Sequence, residues 1–184
     1  MRDAIEADKT ADARKLVQYM FEARDIKTYD LLMKDPMKWL TRQDRMPVGR
    51  NEKELVTIAL ARLARSDVSV ADSYLRREWA KSMSKPNLAW VRGQYALMAA
   101  LKLDSRADDW YHEAGHIRMT DYNAGWKVRA ALRQPKIDWK WVIESIDEMP
   151  ASQRDDPSWV YWKARGLAAT GRKDQANALY AHRR

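Results

Sequence analysis

Three tryptophans constrain this chain more than any other feature. Trp90, Trp126 and Trp162 follow one another at intervals of 36 residues, and each opens a similar heptapeptide: WVRGQYA, WKVRAAL and WKARGLA. A period of that length marks a supersecondary unit that cannot bury its apolar side alone and must stack on copies of itself. One period further towards the N-terminus lies the segment 51–65. There Leu55, Val56, Ile58, Leu60 and Leu63 cover most of a helix circumference, as expected of a helix held between neighbours.

The local signals are helical throughout. In residues 155–180, Asp156 suits an N-cap and Pro157 the first helical position, and Trp159, Trp162, Gly166 and Ala169 recur at spacings of three and four. Gly171 ends that helix, and a second one follows with Ala176, Leu179 and Tyr180 on one side. The small residues Gly166, Ala168 and Ala169 predict a close approach of the two helices. Upstream, residues 2–33 read as two or three short helices, carrying Ala13, Leu16, Val17, Met20 and Phe21 and then Ile26, Tyr29, Leu32 and Met33. Pro36, Pro47 and Gly49 delimit a connector over 36–50 with an apolar turn at Trp39 and Leu40. Asn51 with Glu54 has the pattern of a capping box. Asp67 or Ser69 starts the next helix, with Val70, Tyr74, Leu75 and Trp79, and Pro86 opens another. Further helices follow over 105–115, 121–133 and 139–148. No stretch alternates strictly with β-branched residues, so no strand is expected. The predicted fold is all-α: an α-solenoid or superhelix of paired antiparallel helices with a repeat of about 36 residues. Residues 1–50 form short helices and a connector, continuous with a repeat region over 51–184.

Composition narrows the function. Lys and Arg number 34 against 26 acidic residues, a net charge of +8, yet no run of five like charges occurs. Scattered charge of this kind describes a solvated helical surface. No helix presents a basic stripe interleaved with outward aromatics, which argues against a nucleic-acid partner. Nine Trp and eight Tyr stand against one Phe; such rings suit tight helix packing and also stacking on sugars. Cysteine is absent, so disulfides and thiolate chemistry are excluded. The charged start MRDAIEADKT is not a signal peptide, and no apolar run of 18 residues predicts a membrane span.

Several stretches carry a family likeness: Trp110-Tyr111 before a Gly-ended helix, the nonapeptide AGWKVRAAL over 124–132, and WVIESIDEMP over 141–150 leading into QRDDPSWVYWKARG over 153–166. They resemble the superhelical, U-shaped helical domain of soluble lytic murein transglycosylases, over roughly residues 52–180, with a looser match before that. The resemblance implies a periplasmic setting and peptidoglycan as the polymer served. In that family the chemistry lies in a separate lysozyme-like domain, where the Glu of a Glu-Ser pair is general acid and base. Ending at Arg184, this chain is expected to hold the scaffold without that domain, with no cofactor and no catalytic residue of its own. An end repeat without its neighbour would expose an apolar face and self-associate.

Two motifs compete with that expectation. Glu144-Ser145 is the one Glu-Ser pair, but it lies within an amphipathic helix and reads as a solvated position. His112-Glu113-Ala-Gly-His116 fits the H-E-x-x-H zinc pattern, which needs one unbroken helix through both histidines. Gly115 is expected to end the helix and leave His116 in a loop, and no third ligand is evident, so no metal site is assigned. A zinc hydrolase using His112, Glu113 and His116 stays open as the enzymatic rival, and a generic helical protein-interaction scaffold as the non-enzymatic one. Lys127, Arg129, Lys163 and Arg165 recur in phase with the repeat and are the candidate glycan or partner surface along one edge; solvation or pairing with nearby acids is the alternative.

Overall fold

The computed structural model describes residues 1–181. It is all-helical, with no strand among the described residues. The chain divides into two compact units, Met1–Met98 and Ala99–Arg184. The division falls near the end of one long helix.

In the first unit, α1 (Arg2–Glu6), α2 (Thr10–Met20), α3 (Ala23–Lys34) and α4 (Pro36–Thr41) pack in succession, and both α3 and α4 rest on α5 (Arg50–Leu63). The expected connector after residue 36 therefore holds a true helix, capped by Asp35, whose Oδ1 accepts the Lys38 N–H at 3.0 Å. Every residue from Leu55 to Ala61 is buried, so α5 is enclosed on all sides as its apolar circumference predicts. The capping box at its start does not form. Gly49 is the N-cap, and Glu54 instead accepts two hydrogen bonds from Arg2, at 2.8 and 2.7 Å. A guanidinium offers a carboxylate a bidentate, charge-assisted pair, which outcompetes one backbone N–H. Arg2 also donates to Asn87 and lies 4.6 Å from the Trp90 ring centroid.

Asp67 caps α6 (Val68–Tyr74), its carboxylate accepting the Val70 N–H at 3.0 Å. The helix then widens into a π-turn over Leu75–Trp79 before a 3-10 turn at Ala80–Ser82. Leu75 and Trp79, the two ends of this turn, are both in the core, at 0% and 4% exposure. α7 (Lys85–Leu101) runs against α5 and α1: Tyr95 donates to the Leu60 carbonyl at 2.7 Å and Gln94 to the Glu6 carboxylate at 2.8 Å.

The second unit contains α8 (Ala107–Ala114), α9 (Asp121–Leu132), α10 (Trp139–Asp147), α11 (Ala151–Arg154), α12 (Pro157–Ala169) and α13 (Lys173–Ala181). Packing joins α8 to α9, α9 to α10, α10 to α12 and α12 to α13. Asp156 and Gly171 act as the sequence signals predict, Asp156 accepting the Ser158 N–H and Gly171 leaving α12 with φ +81°. Thr120 and Asp138 likewise accept a backbone N–H of the first turn of α9 and α10, so that Asp121 is the first residue of its helix and not its cap. Gly166 serves a different neighbour from the one expected. A Cβ there would come within 3.0 Å of Ile143 Cγ1 and 3.3 Å of Trp139, so the missing side chain lets α12 approach α10, not α13. Ala164, Leu167 and Ala168 of α12 share one apolar cluster with Ala176 and Leu179 of α13 and Ile143 of α10.

The three in-phase tryptophans occupy equivalent places. α7, α9 and α12 begin at Lys85, Asp121 and Pro157, and Trp90, Trp126 and Trp162 are each the sixth residue of their helix. All three are half-buried, which is how a helix-edge ring between packed elements is expected to sit. No helix among the described residues is long and apolar enough to cross a membrane.

Candidate functional site

A cluster of polar and aromatic side chains surrounds Trp141. This residue lies in the first turn of α10, where the Asp138 carboxylate accepts its backbone N–H at 3.1 Å. The His112 ring stacks on the indole with centroids 3.8 Å apart and planes 17° apart, and the His116 ring lies at 4.5 Å and 29°. The Lys127 ammonium stands 4.7 Å from the indole centroid, close enough for a cation–π attraction. Local sequence creates this convergence. His112 belongs to the last turn of α8. Gly115 then adopts φ +77°, a backbone region that favours glycine, and turns His116 off the helix. His116 instead meets the side chains of α9 and α10.

Lys127 is 2% exposed. Its Nζ lies 3.2 Å from the Gly115 carbonyl, 3.2 Å from Glu148 Oε2 and 3.3 Å from His116 Nδ1. Burial pushes its pKa below the usual lysine value, opposed by the nearby carboxylates of Glu148 and Glu144. The sign for stability follows. In the alkaline range the unfolded chain binds this proton more tightly than the folded one, so the contribution of Lys127 to stability rises with pH up to the 10.5 of an unperturbed lysine. Urea unfolding in the alkaline range will show that upward contribution in the parent and its loss in Lys127→Met. Asp108, on α8, is shifted the other way: burial raises its pKa, partly offset by His112.

Each residue of the zinc pattern is otherwise engaged. His112 Nδ1 is 2.8 Å from the Asp108 carbonyl, Glu113 is exposed, and His116 lies beyond the end of α8. His116 Nε2 is 2.9 Å from Glu144 Oε2, and its Nδ1 is in contact with Glu148 Oε1. A cation does stand among His116, Glu148 and the Gly115 carbonyl, but it is the Lys127 ammonium. No group of three or more His, Asp or Glu among the described residues is arranged to hold a metal ion.

The Glu-Ser pair separates into two environments. Glu144 is partly exposed and paired with His116 and, at 3.7 Å, with Lys140. Ser145 is 2% exposed, and its hydroxyl is buried with no hydrogen-bond partner. The expectation of a solvated pair holds for the first residue and fails for the second, because Ser145 faces the core side of α10.

The four in-phase cations also separate. Arg129 is exposed, with its guanidinium 5.1 Å from the Trp126 centroid and 5.4 Å from that of Trp159. Arg165 is exposed and donates to the Tyr161 hydroxyl at 2.9 Å. Lys163 is half-buried and bound to Asp147. Lys127 does not join them on an edge: its burial and its pairing with Glu148 remove it from the surface, which corrects the expectation of a four-residue stripe. Its position carried a signal that the phase with Lys163 obscured. Asn123, Lys127 and Ala131 succeed one another at spacings of four, and all three are buried. No protein-family model matches this sequence, and no curated protein matches it either.

Proposed function

We propose that this chain is a non-catalytic helical scaffold of the α-solenoid kind, of the sort that in soluble lytic murein transglycosylases carries the catalytic domain and lies along peptidoglycan strands in the periplasm. One observation carries the scaffold reading: three helices begin 36 residues apart and bear a half-buried tryptophan at the same sixth position. Equivalent placement at a fixed period is what stacked units require. Murein is the partner suggested by the sequence resemblance. The surface that suits it is the pair of exposed, in-phase arginines, each beside an aromatic ring: Arg129 at Trp126 and Trp159, and Arg165 at Tyr161. Of these rings Tyr161 is exposed and of the kind that stacks on sugars, and guanidinium groups attract the carboxylates of peptide stems.

The test is co-sedimentation with purified peptidoglycan sacculi at moderate salt. The parent is expected in the pellet, and Arg129→Ala/Arg165→Ala is expected to shift it towards the supernatant. Parent protein found wholly in the supernatant refutes direct glycan contact and leaves the generic protein-interaction scaffold as the better reading. The same sacculi should keep their turbidity; release of anhydro-muropeptides would refute the non-catalytic assignment.

A further inference from the structure

The first unit holds an open cavity of about 830 Å³ bordered by the start of α1, the end of α2 and the first turn of α5. Small-molecule clefts run from about 300 to about 1,000 Å³. Local backbone creates its apolar side. Helix α2 stops at Met20, and Phe21 leaves it in an extended conformation, with φ −126° and ψ 164°. Met20 is 62% exposed, and Val48, in the connector before α5, is 91% exposed. All three line the cavity, and apolar side chains left open in a cleft gain from being covered. The polar side is cationic, with Arg50 and Lys53 from α5 and Arg2 from α1. The carboxylates that α5 carries beside them are engaged elsewhere: Glu52 lies 3.6 Å from Arg24, and Glu54 2.7 Å from Arg2. Arg50 and Lys53 are exposed and form no ion pair among the described residues. Asp3 is the other carboxylate of the lining, so three cationic side chains stand against two acidic ones, an excess of one positive charge.

We propose that this cavity binds a single-chain amphiphile with an anionic head, of the fatty-acid class. The carboxylate pairs with the Arg50 guanidinium and the Lys53 ammonium, which the fold leaves without an acidic partner, and the alkyl chain lies over Met20, Phe21 and Val48. Methionine suits such a chain, because its unbranched thioether adapts to the shape laid against it. A purely apolar ligand would leave the two cations unanswered, and a bare anion would leave three apolar side chains in water. A ligand with both parts satisfies both sides. The cavity belongs to the first unit and uses neither Arg129 nor Arg165, so it stands or falls apart from the glycan reading.

The experiment titrates the intact chain, labelled at methionine and valine methyl groups, with dodecanoate below its micellar range at neutral pH. Dodecyltrimethylammonium supplies the same tail on a cationic head, and acetate the same head without the tail. Expected is saturable binding of one dodecanoate, with methyl shifts concentrated at Met20 and Val48 and weaker binding at higher salt. Each control should bind about tenfold more weakly, since it satisfies one side of the cavity only. Arg50→Gln/Lys53→Gln should weaken dodecanoate by about fivefold, the scale of two exposed ion pairs. Val48→Asp is a second, independent variant and should weaken it as well, by setting a carboxylate against the tail. All three positions are exposed, and circular dichroism establishes that each variant is folded. Shifts confined to other methyl groups, equal affinity for the cationic analogue, or undiminished binding in both variants overturns the proposal. Binding to phosphatidylglycerol vesicles with none to monomeric dodecanoate also overturns it, and would make this face a membrane contact.

Discussion

Trp141→Ala will lower the unfolding free energy by about 3–5 kcal/mol, the range for removing a buried aromatic. The expected value lies at the upper end for a reason particular to this site. The indole is 9% exposed, but it is also the surface on which His112 and His116 stack and to which the Lys127 ammonium is drawn. Taking it away leaves a cavity and removes the platform beneath a buried cation, so transfer, cavity and electrostatic losses fall together. Trp141→Phe keeps a ring in place and should cost far less. The measurement is urea unfolding followed by circular dichroism. A loss below about 1 kcal/mol for the alanine variant would mean that the cluster relaxes without its platform and that the stacking is incidental.

The second large effect is expected at Tyr95 in the first unit. Its side chain is 0% exposed, and its hydroxyl donates to the Leu60 carbonyl at 2.7 Å across the contact between α7 and α5. Tyr95→Ala should cost about 3–5 kcal/mol and Tyr95→Phe about 1 kcal/mol, so the difference between the variants separates packing from the hydrogen bond. Burial pushes the phenol pKa well above its ordinary value, so the hydroxyl remains a donor across the neutral and mildly alkaline range. Equal losses for the two substitutions would contradict the assignment of most of the effect to packing.

Much of the helical order was legible because it rests on local chemistry. Asp67, Asp156, Gly115 and Gly171 end or begin helices where their side chains or backbone freedom require it. Helix α5 announced its enclosure through an apolar circumference. What escaped was set by partners far away in sequence. Glu54 looked like a capping residue until Arg2, 52 positions earlier, engaged it. Gly166 looked like the seam between α12 and α13, but its space is filled by Ile143 and Trp139 of α10. Lys127 matched Lys163 in phase yet differs in burial, because Glu148 and the Gly115 carbonyl supply an interior site for its ammonium that Lys163 lacks. A repeat predicts which positions correspond; it does not predict which correspondences share an environment. The π-turn at Leu75–Trp79 was unreadable for a related reason, since an ordinary amphipathic pattern runs through it.

The left-handed turn at Gly115 has a consequence for how such a chain can drift. In letters, the sequence HEAGH matches a metal-binding helix; in shape it is two histidines on opposite sides of a break. Replacing Gly115 by alanine would favour a continuous helix, but it would do so against a φ of +77° that side-chain-bearing residues rarely adopt. It would also carry His116 away from Glu144 and Glu148 and withdraw from Lys127 the carbonyl that satisfies it. A mutational path towards the metal motif therefore runs uphill through the loss of an existing network. The two histidines meet over one indole, but they reach it from either side of a helix end, and one glycine keeps them off a shared helix face.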